Sequence, residues 1–313
     1  MLGIVILNYK NFADTLTCVD SIRANNIDGD YRIYIVDNAS PNESQGVLTE
    51  KYAEDDGITL IYSDTNGGFS AGNNIGLRQA VKDGCEAVLC TNSDVVFKDD
   101  CINQLKRTLF ADQSCAVVGP KVYDGNGQIQ NRNKGKLTAS IFILKRKGFG
   151  WLDVKKKQRK YAYVDYDYSY NLKPEGMVSG CCFMIKANVL EKIDYLDENV
   201  FLYHEEDILG AKLRSINMYP LLDVTAEIIH LEGQSTGGLN AFLRYNTLYS
   251  GLYYLKKYTD TKKIACNFAC FVAKIMFFIK SLTNKEYKEN YKKLKDKIKM
   301  LIKRRLKNYK KGG

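Results

Sequence analysis

Four apolar runs in the first third of this chain each end at a polar residue. Leu2–Leu7 stops at Asn8-Tyr9, and Tyr31–Val36 at Asp37-Asn38-Ala39-Ser40-Pro41. Ile58–Tyr62 leads to Asn66-Gly67-Gly68, and Ala87–Cys90 to Thr91-Asn92-Ser93-Asp94. Between them lie stretches with helical spacing: Phe12, Leu16, Val19 and Ile22, then Val47–Tyr52, then Ala71–Val81. Unbroken apolar strands are buried on both faces. Strands of that kind alternating with helices form a parallel sheet with right-handed crossovers. Ligands bind such a sheet beyond the carboxyl ends of its strands. Asn8, Asp37, Asn66 and Asp94 are therefore expected to converge on one crevice.

Residues 125–175 carry Lys, Arg, Gly and Tyr without a clear period and read as a long excursion, a lid or an acceptor-binding segment. Regular pattern returns with a strand at Met177–Ile185, helices at Ala187–Ile193 and Glu205–Ser215, and a strand at Val224–Ile229. From Phe242 onward the pattern is helical. A boundary near residue 238 divides the chain into an α/β body, 1–238, and a helical region, 239–313. Only 4 prolines occur in 313 residues, which excludes a Pro-rich linker. No repeat of 20 to 50 residues is visible. The 9 cysteines are odd in number and form no CxxC pair, so they read as small core hydrophobes in a reducing compartment. The first residues lack the basic start of a signal peptide. No run of 18 uninterrupted apolar residues supports a simple transmembrane helix.

The net charge of +10 invites a nucleic-acid reading until it is located. Residues 284–313 hold 13 Lys and Arg against 3 Asp and Glu, so the whole excess sits in the tail and the body is neutral. With no basic-aromatic groove, a nucleic-acid partner is not expected.

Four constellations carry possible chemistry. Asn92-Ser93-Asp94 follows a buried strand, where a carboxylate suits a hard divalent cation shared with substrate phosphates; the tripeptide is equally ordinary turn chemistry. Asn66-Gly67-Gly68-Phe69-Ser70-Ala71-Gly72-Asn73-Asn74 offers close backbone approach and a helix N-terminus, and also reads as a tight turn with a cap. It is neither a dinucleotide fingerprint nor a P-loop. His204-Glu205-Glu206-Asp207 opens a helix, where the macrodipole favours acids, and an acid aimed into the crevice is a candidate general base. His230 follows a strand, and its value rests on whether it faces Asp94.

These pieces, with Ile6-Leu7-Asn8-Tyr9, Ser179-Gly180-Cys181-Cys182-Phe183-Met184-Ile185, Phe201-Leu202-Tyr203 and His230-x-x-Gly233-x-Ser235, occur in the order seen in the family 2 glycosyltransferases of the GT-A fold. The chain resembles that family from residue 2 to about 255, and is most similar to rhamnosyl- and galactofuranosyl-transferase-like members of bacterial surface polysaccharide synthesis. The resemblance implies a Rossmann-like, mostly parallel sheet flanked by helices. It implies that Asn8, Tyr9, Asp37, Asn38, Asn66, Gly72, Asn73, Asn92 and Ser93 bind a nucleotide-sugar, UDP- or dTDP-linked. Asp94 and His230 would hold Mg2+ or Mn2+, and Glu206 would be the base of a one-step inverting transfer, with Glu205 and Asp207 as rivals. Asn92 stands where the family's Asp-x-Asp motif has its first acid, and Glu206 is one methylene longer than the usual second acid of the base motif.

Ile264–Leu282 is apolar but carries Asn267, Lys274 and Ser281 on one face, as an interfacial helix would. Tyr287, Tyr291, Leu294, Ile298 and Leu301 then alternate at spacings of four and three, which is a heptad and points to a homodimer. The flanking lysines favour an anionic membrane surface met by residues 264–313. The combined expectation is a cytoplasmic enzyme, peripheral on the inner face of the cell membrane, acting on a lipid-linked glycan acceptor. A nucleotidyltransferase and a non-catalytic membrane scaffold are the alternatives.

Overall fold

The computed structural model describes residues 1–130, 133–144, 159–163, 165–231 and 240–303. Its centre is an eight-stranded sheet in the order β3-β2-β1-β4-β7-β6-β8-β5. The strands are β1 (Leu2–Asn8), β2 (Tyr31–Asp37), β3 (Ile58–Tyr62), β4 (Ala87–Asn92), β5 (Val95–Phe97), β6 (Cys115–Tyr123), β7 (Cys182–Lys186) and β8 (Tyr219–His230). Helices α1 (Phe12–Arg23), α2 (Ser44–Tyr52), α3 (Gly68–Lys82) and α4 (Cys101–Ala111) connect the first six strands. Beyond them lie α5 (Ala139–Leu144), α6 (Ala187–Lys192), α7 (Glu205–Ser215), α8 (Ala241–Lys257), α9 (Lys263–Ser281) and α10 (Lys285–Lys303).

The half of the sheet built by β3, β2, β1 and β4 is parallel, as the apolar runs predict. Alternate residues of β1 serve opposite faces. Leu2, Ile4 and Ile6 pack with α1, α2 and α4, whereas Val5 packs with α3 and the β7 side. The other half is mixed: β7 runs antiparallel to β4 and β6, β8 runs parallel to β6, and β5 runs antiparallel to β8. Only Ser93 and Asp94 separate β4 from β5, yet the two strands sit at the fourth and eighth positions of the sheet. A two-residue link can join them only if the sheet curls until its far edge returns beneath α1. The Phe97 N–H donating to Ser21 Oγ at 3.1 Å fixes that return.

Several elements differ from the sequence reading. α4 and β6 were not foreseen. β7 begins at Cys182 and not at Met177, because Lys134 pairs with Met177 in an isolated bridge and the chain then turns through Ser179-Gly180. β8 starts five residues earlier than expected, since Tyr219–Asp223 pair with β6. The cysteines are all free and buried, as core hydrophobes should be.

α8 is part of the body. The carboxylate of Asp197, 7% exposed, accepts from Tyr253 OH at 2.9 Å, Lys257 Nζ at 3.1 Å and Tyr258 OH. Burial opposes its charge, but these donors and Asn199 hold its pKa below the usual carboxylate range. The 238 boundary itself lies outside the described residues. α9 and α10 form a hairpin on α8 and α5. The apolar seam of α10 is filled from within: Tyr287, Leu294, Ile298 and Leu301 are buried, and Tyr287 and Tyr291 meet the rings of Phe277 and Phe278 at 4.9 and 5.5 Å. The heptad spacing thus serves an intramolecular contact, and the surface a coiled-coil partner would need is already covered.

Leu294 is fully buried and Leu282 is 67% exposed. Leu294→Ala should cost about 2–5 kcal/mol of stability, and Leu282→Ala no more than about 0.5 kcal/mol. Denaturant unfolding of the two variants checks the assignment of the seam.

Candidate active site

The carboxyl ends of β1 and β2 are locked together by buried polar groups. Asn8 Nδ2 donates to Asp37 Oδ2 at 2.6 Å, and Thr15 Oγ1 donates to Asn8 Oδ1 at 3.0 Å. Asp37 Oδ1 also accepts from the Ser40 N–H at 2.9 Å and Gln45 Nε2 at 3.1 Å. Both Asn8 and Asp37 are fully buried, and Tyr9, next to Asn8 in the chain, is half-buried. Asn38 Nδ2 donates to Asn66 Oδ1 at 3.0 Å, and Asn66 Oδ1 also accepts the Gly68 N–H at 2.9 Å. Asn38 Oδ1 is buried with no hydrogen-bond partner.

The glycine-asparagine segment works differently from the sequence reading. Gly68 has φ +88°, and a Cβ there would lie 2.2 Å from the Phe201 carbonyl oxygen. The close approach is to this chain's own backbone, and the Phe69 N–H donates to that carbonyl at 2.9 Å. Gly72 packs on Leu7 and the Asn38 side chain. Asn73 is 1% exposed, donating to the Phe69 carbonyl and accepting from Cys90 Sγ. Gly72 and Asn73 therefore pack inside the body, and burial keeps the Asn73 side chain from a ligand.

Asp94 sits at the sharp link between β4 and β5. The pairing of Val95 with His230 across β5 and β8 brings the histidine opposite, with Nε2 at 3.2 Å from Asp94 Oδ1. Gln130 decides the tautomer. Its Nε2 donates to the His230 carbonyl, which can only accept, so its Oε1 faces His230 Nδ1 at 3.2 Å. Nδ1 accordingly carries a proton, and Nε2 is the ring nitrogen that faces the Asp94 carboxylate. A carboxylate oxygen and an imidazole nitrogen side by side are donor types that suit a divalent ion. Among the described residues no group of three or more His, Cys, Asp or Glu gathers into a metal cage. An ion held by Asp94 and His230 would complete its shell with water and phosphate oxygens, as a magnesium-like cation does.

The acids lie across the same pocket. Tyr203 and His204 both have positive φ, at 69° and 68°, a conformation that costs non-glycine residues energy and turns the chain sharply into α7. Asp207 is 1% exposed and held by His204 Nδ1 at 2.7 Å and Tyr161 OH at 3.0 Å, so it is committed to the fold. Glu206 is partly exposed and pairs with Lys134 Nζ at 2.9 Å. Burial opposes the lysine's charge, yet the carboxylates of Glu206, Asp207 and Glu205 push its pKa above the ordinary range. Burial and then Glu206 raise Glu205 to about 8, and its Oε1 has no hydrogen-bond partner.

Asn92, Gln130, Lys134, Glu205, Glu206 and His230 line one cavity of about 580 Å³, together with Ser179-Gly180 and Phe69. The structure thus unites the Asp94–His230 pair with the Glu205–Glu206 pair. Ser93 is buried beside Asp94 in the link. Gly233 and Ser235 lie outside the described residues. Lys134, Gln130 and Tyr161 were missed by the sequence reading because they belong to the 125–175 excursion, which has no period to place them.

A family profile described as Glycosyl transferase family 2 matches residues 3–194. The chain belongs to that family. The profile ends before α7 and His230, so those residues are placed by geometry alone. A low-salt glycan biosynthesis hexosyltransferase of Haloferax volcanii is 30% identical over 209 residues, 66% of this chain and 59% of the relative. The chain therefore spans less than two thirds of that protein. An N-acetylglucosaminyl-diphospho-decaprenol L-rhamnosyltransferase of Mycobacterium tuberculosis is 21% identical over 220 residues, 66% of this chain and 68% of the relative. Among solved structures, a mannosyltransferase of Pyrobaculum calidifontis in complex with GDP-Man and Mn2+ shares the fold, with a TM-score of 0.54 at 14% identity, covering 90% of this chain and 75% of that one. Family membership removes the nucleotidyltransferase alternative.

A Cβ on Gly180 would lie 2.6 Å from Glu206 Oε1. Gly180→Ala should push that flexible carboxylate off Lys134 and lower turnover by about 10²-fold, the scale of a 1 Å misplacement, with little change in melting temperature. Kinetics and thermal unfolding together test this. Glu205 makes a second, pH-dependent prediction. Its folded pKa of about 8 lies above the ordinary 4.5, so between those values the folded chain holds a proton that the unfolded chain releases. Stability from this group is therefore full below about pH 4.5 and lost as pH rises through 8. Glu205→Gln should flatten that part of the stability profile, measured by unfolding at a series of pH values.

Proposed function

We propose that this chain is an inverting, divalent-cation-dependent hexosyltransferase that moves a sugar from a UDP- or dTDP-linked donor to a hydroxyl of a lipid-linked glycan in polysaccharide synthesis. The observation that carries the reading is that the Glu206 carboxylate and His230, which contacts Asp94, line one pocket. Displacement at an anomeric carbon needs a place for the departing diphosphate and, on the opposite side, a base for the attacking hydroxyl. A Mg2+ or Mn2+ on Asp94 and His230 would supply positive charge to the diphosphate.

The remaining work falls to side chains. Gln130 holds the histidine tautomer, Asn38 and Asn66 frame the donor's nucleoside corner, and Tyr9 flanks it. Glu206 takes the acceptor proton as the hydroxyl oxygen bonds to the anomeric carbon and the sugar–phosphate bond breaks. The sugar inverts in one step, with no covalent intermediate. Lys134 fixes the Glu206 rotamer through their ion pair. The lipid-linked acceptor finds support in the name of the mycobacterial relative, which specifies a diphospho-decaprenol substrate. The reading places the enzyme at the cytoplasmic face of the membrane, where nucleotide-sugars and lipid-linked acceptors meet.

Asp94→Ala should abolish metal-stimulated transfer and His230→Ala should weaken it, both with the fold intact. Glu206→Gln should lower kcat by at least about 10²-fold, the low end for general base catalysis, with donor KM little changed. Chromatographic assay of a nucleotide-sugar panel against a synthetic lipid-diphosphate acceptor measures all three. Full activity of Glu206→Gln beside a dead Glu205→Gln would transfer the base to the neighbouring acid. Donor turnover at background in the wild type would favour a non-catalytic scaffold.

A further inference from the structure

α9 divides lengthwise into two faces of opposite exposure. Cys266, Ala269, Cys270, Ala273 and Phe277 are buried against the body. Opposite them, Ile264, Phe268, Phe271, Ile275, Ile279 and Leu282 are between 41% and 83% exposed. Their spacing of three, four and seven keeps them on one side of the helix, which holds no charged residue. A contiguous bare stripe of this size marks an interaction surface.

We infer that the outer face of α9 lies flat in the surface of an anionic bilayer. The inference deepens the lipid-linked acceptor reading by giving the acceptor's membrane a place on the molecule. Charge selects the occupant. The hairpin from Lys263 to Lys303 holds 11 lysines and 3 acids. Phosphate headgroups complement that excess, whereas a second copy would bring two such hairpins together and place like charges face to face. The polar flank of α9 carries Lys263, Asn267, Lys274 and Ser281, groups suited to the headgroup layer.

The helix lies in the interface and does not cross it. α9 is long and apolar enough to cross a membrane by length and composition, with a mean hydropathy of 1.6. From Ile264 to Leu282 it rises about 27 Å at 1.5 Å per residue, close to the roughly 30 Å of a hydrocarbon core. Its other face, however, is packed against α10, which brings eight lysines alongside. Inserting α9 upright would carry those ammonium groups to membrane depth, where each is expensive. Lying flat buries the stripe and leaves the lysines in water or among headgroups.

The location lies within the residues 264–313 expected to meet the membrane, on the segment read as an interfacial helix. The tail's apolar residues are used internally, so the insertion face is on α9 and α10 supplies charge. Deleting 284–313 would uncover the buried side of α9 and is not a clean test.

The test is sedimentation of the full chain with vesicles, without donor or acceptor, so that its outcome is independent of the transfer reaction. Wild type should bind phosphatidylcholine vesicles containing phosphatidylglycerol, bind pure phosphatidylcholine less, and release as salt shortens the Debye length from about 10 Å at 0.1 M to about 3 Å at 1 M. Phe268→Ser with Phe271→Ser should weaken binding to the mixed vesicles at least about tenfold, given the apolar area removed, with an unchanged melting temperature. Ile275→Ser serves as a milder second variant should the double variant unfold. Wild-type affinity in the folded variants would overturn the inference. So would a wild-type dimer in vesicle-free light scattering that the same variants convert to monomer, since a second copy would then cover the stripe.

Discussion

The two-residue link between β4 and β5 is the constraint on which the site depends. Ser93 and Asp94 leave no slack, so the sheet must curl to bring its eighth position back to the end of its fourth. That curl places Val95 opposite His230 and so sets a carboxylate and an imidazole 3.2 Å apart. The distance is therefore enforced by backbone pairing and does not rely on the side chains finding each other. Gln130 adds a contact at each end of the histidine, its carbonyl and its Nδ1, and so orients the ring.

A second constraint joins the glycine-rich turn to the acids. Gly68 admits the Phe201 carbonyl at a distance no Cβ would allow, and the next residues turn through two strained positions into α7. Strain at Tyr203 and His204 is held by the Asp207 contacts with His204 and Tyr161. The bland reading of three acids at a helix start is thus right for Asp207, which anchors the turn. Glu205 and Glu206 are left on the pocket wall with opposite fates: one with an unsatisfied Oε1 and raised by burial, the other paired with Lys134.

The first four strands and their polar ends were legible because burial on both faces leaves an unbroken apolar run. β6 was not, since Gly119-Pro120 inside it reads as a turn; the structure absorbs the proline where the register with β8 shifts after Pro120. α4 does carry a helical period in Ile102, Leu105 and Leu109, and its signal was overlooked beside the Asp94 motif. Asp94 and His230 were readable as candidates, but their meeting was not, because it depends on pairing between strands some 135 residues apart in the chain. Lys134 and Gln130 lay in a segment without periodicity, where only three-dimensional contact gives a residue its role. In the tail, spacing identified an apolar seam but could not say whether the partner was another molecule or the preceding helix.

The late position of β8 also has a temporal meaning. His230 closes the last strand of the sheet, and Asp94 immediately precedes β5, whose sheet partner among the described residues is β8. A growing chain can pair β1, β2, β3 and β4 soon after they emerge, but β5 has no partner until the ribosome has made Tyr219–His230. Contacts of such sequence separation form slowly. The corner built by Asn8, Asp37 and Asn38 can thus be assembled while the Asp94–His230 pair is still unmade, and a chain released before residue 230 would hold only half of the arrangement.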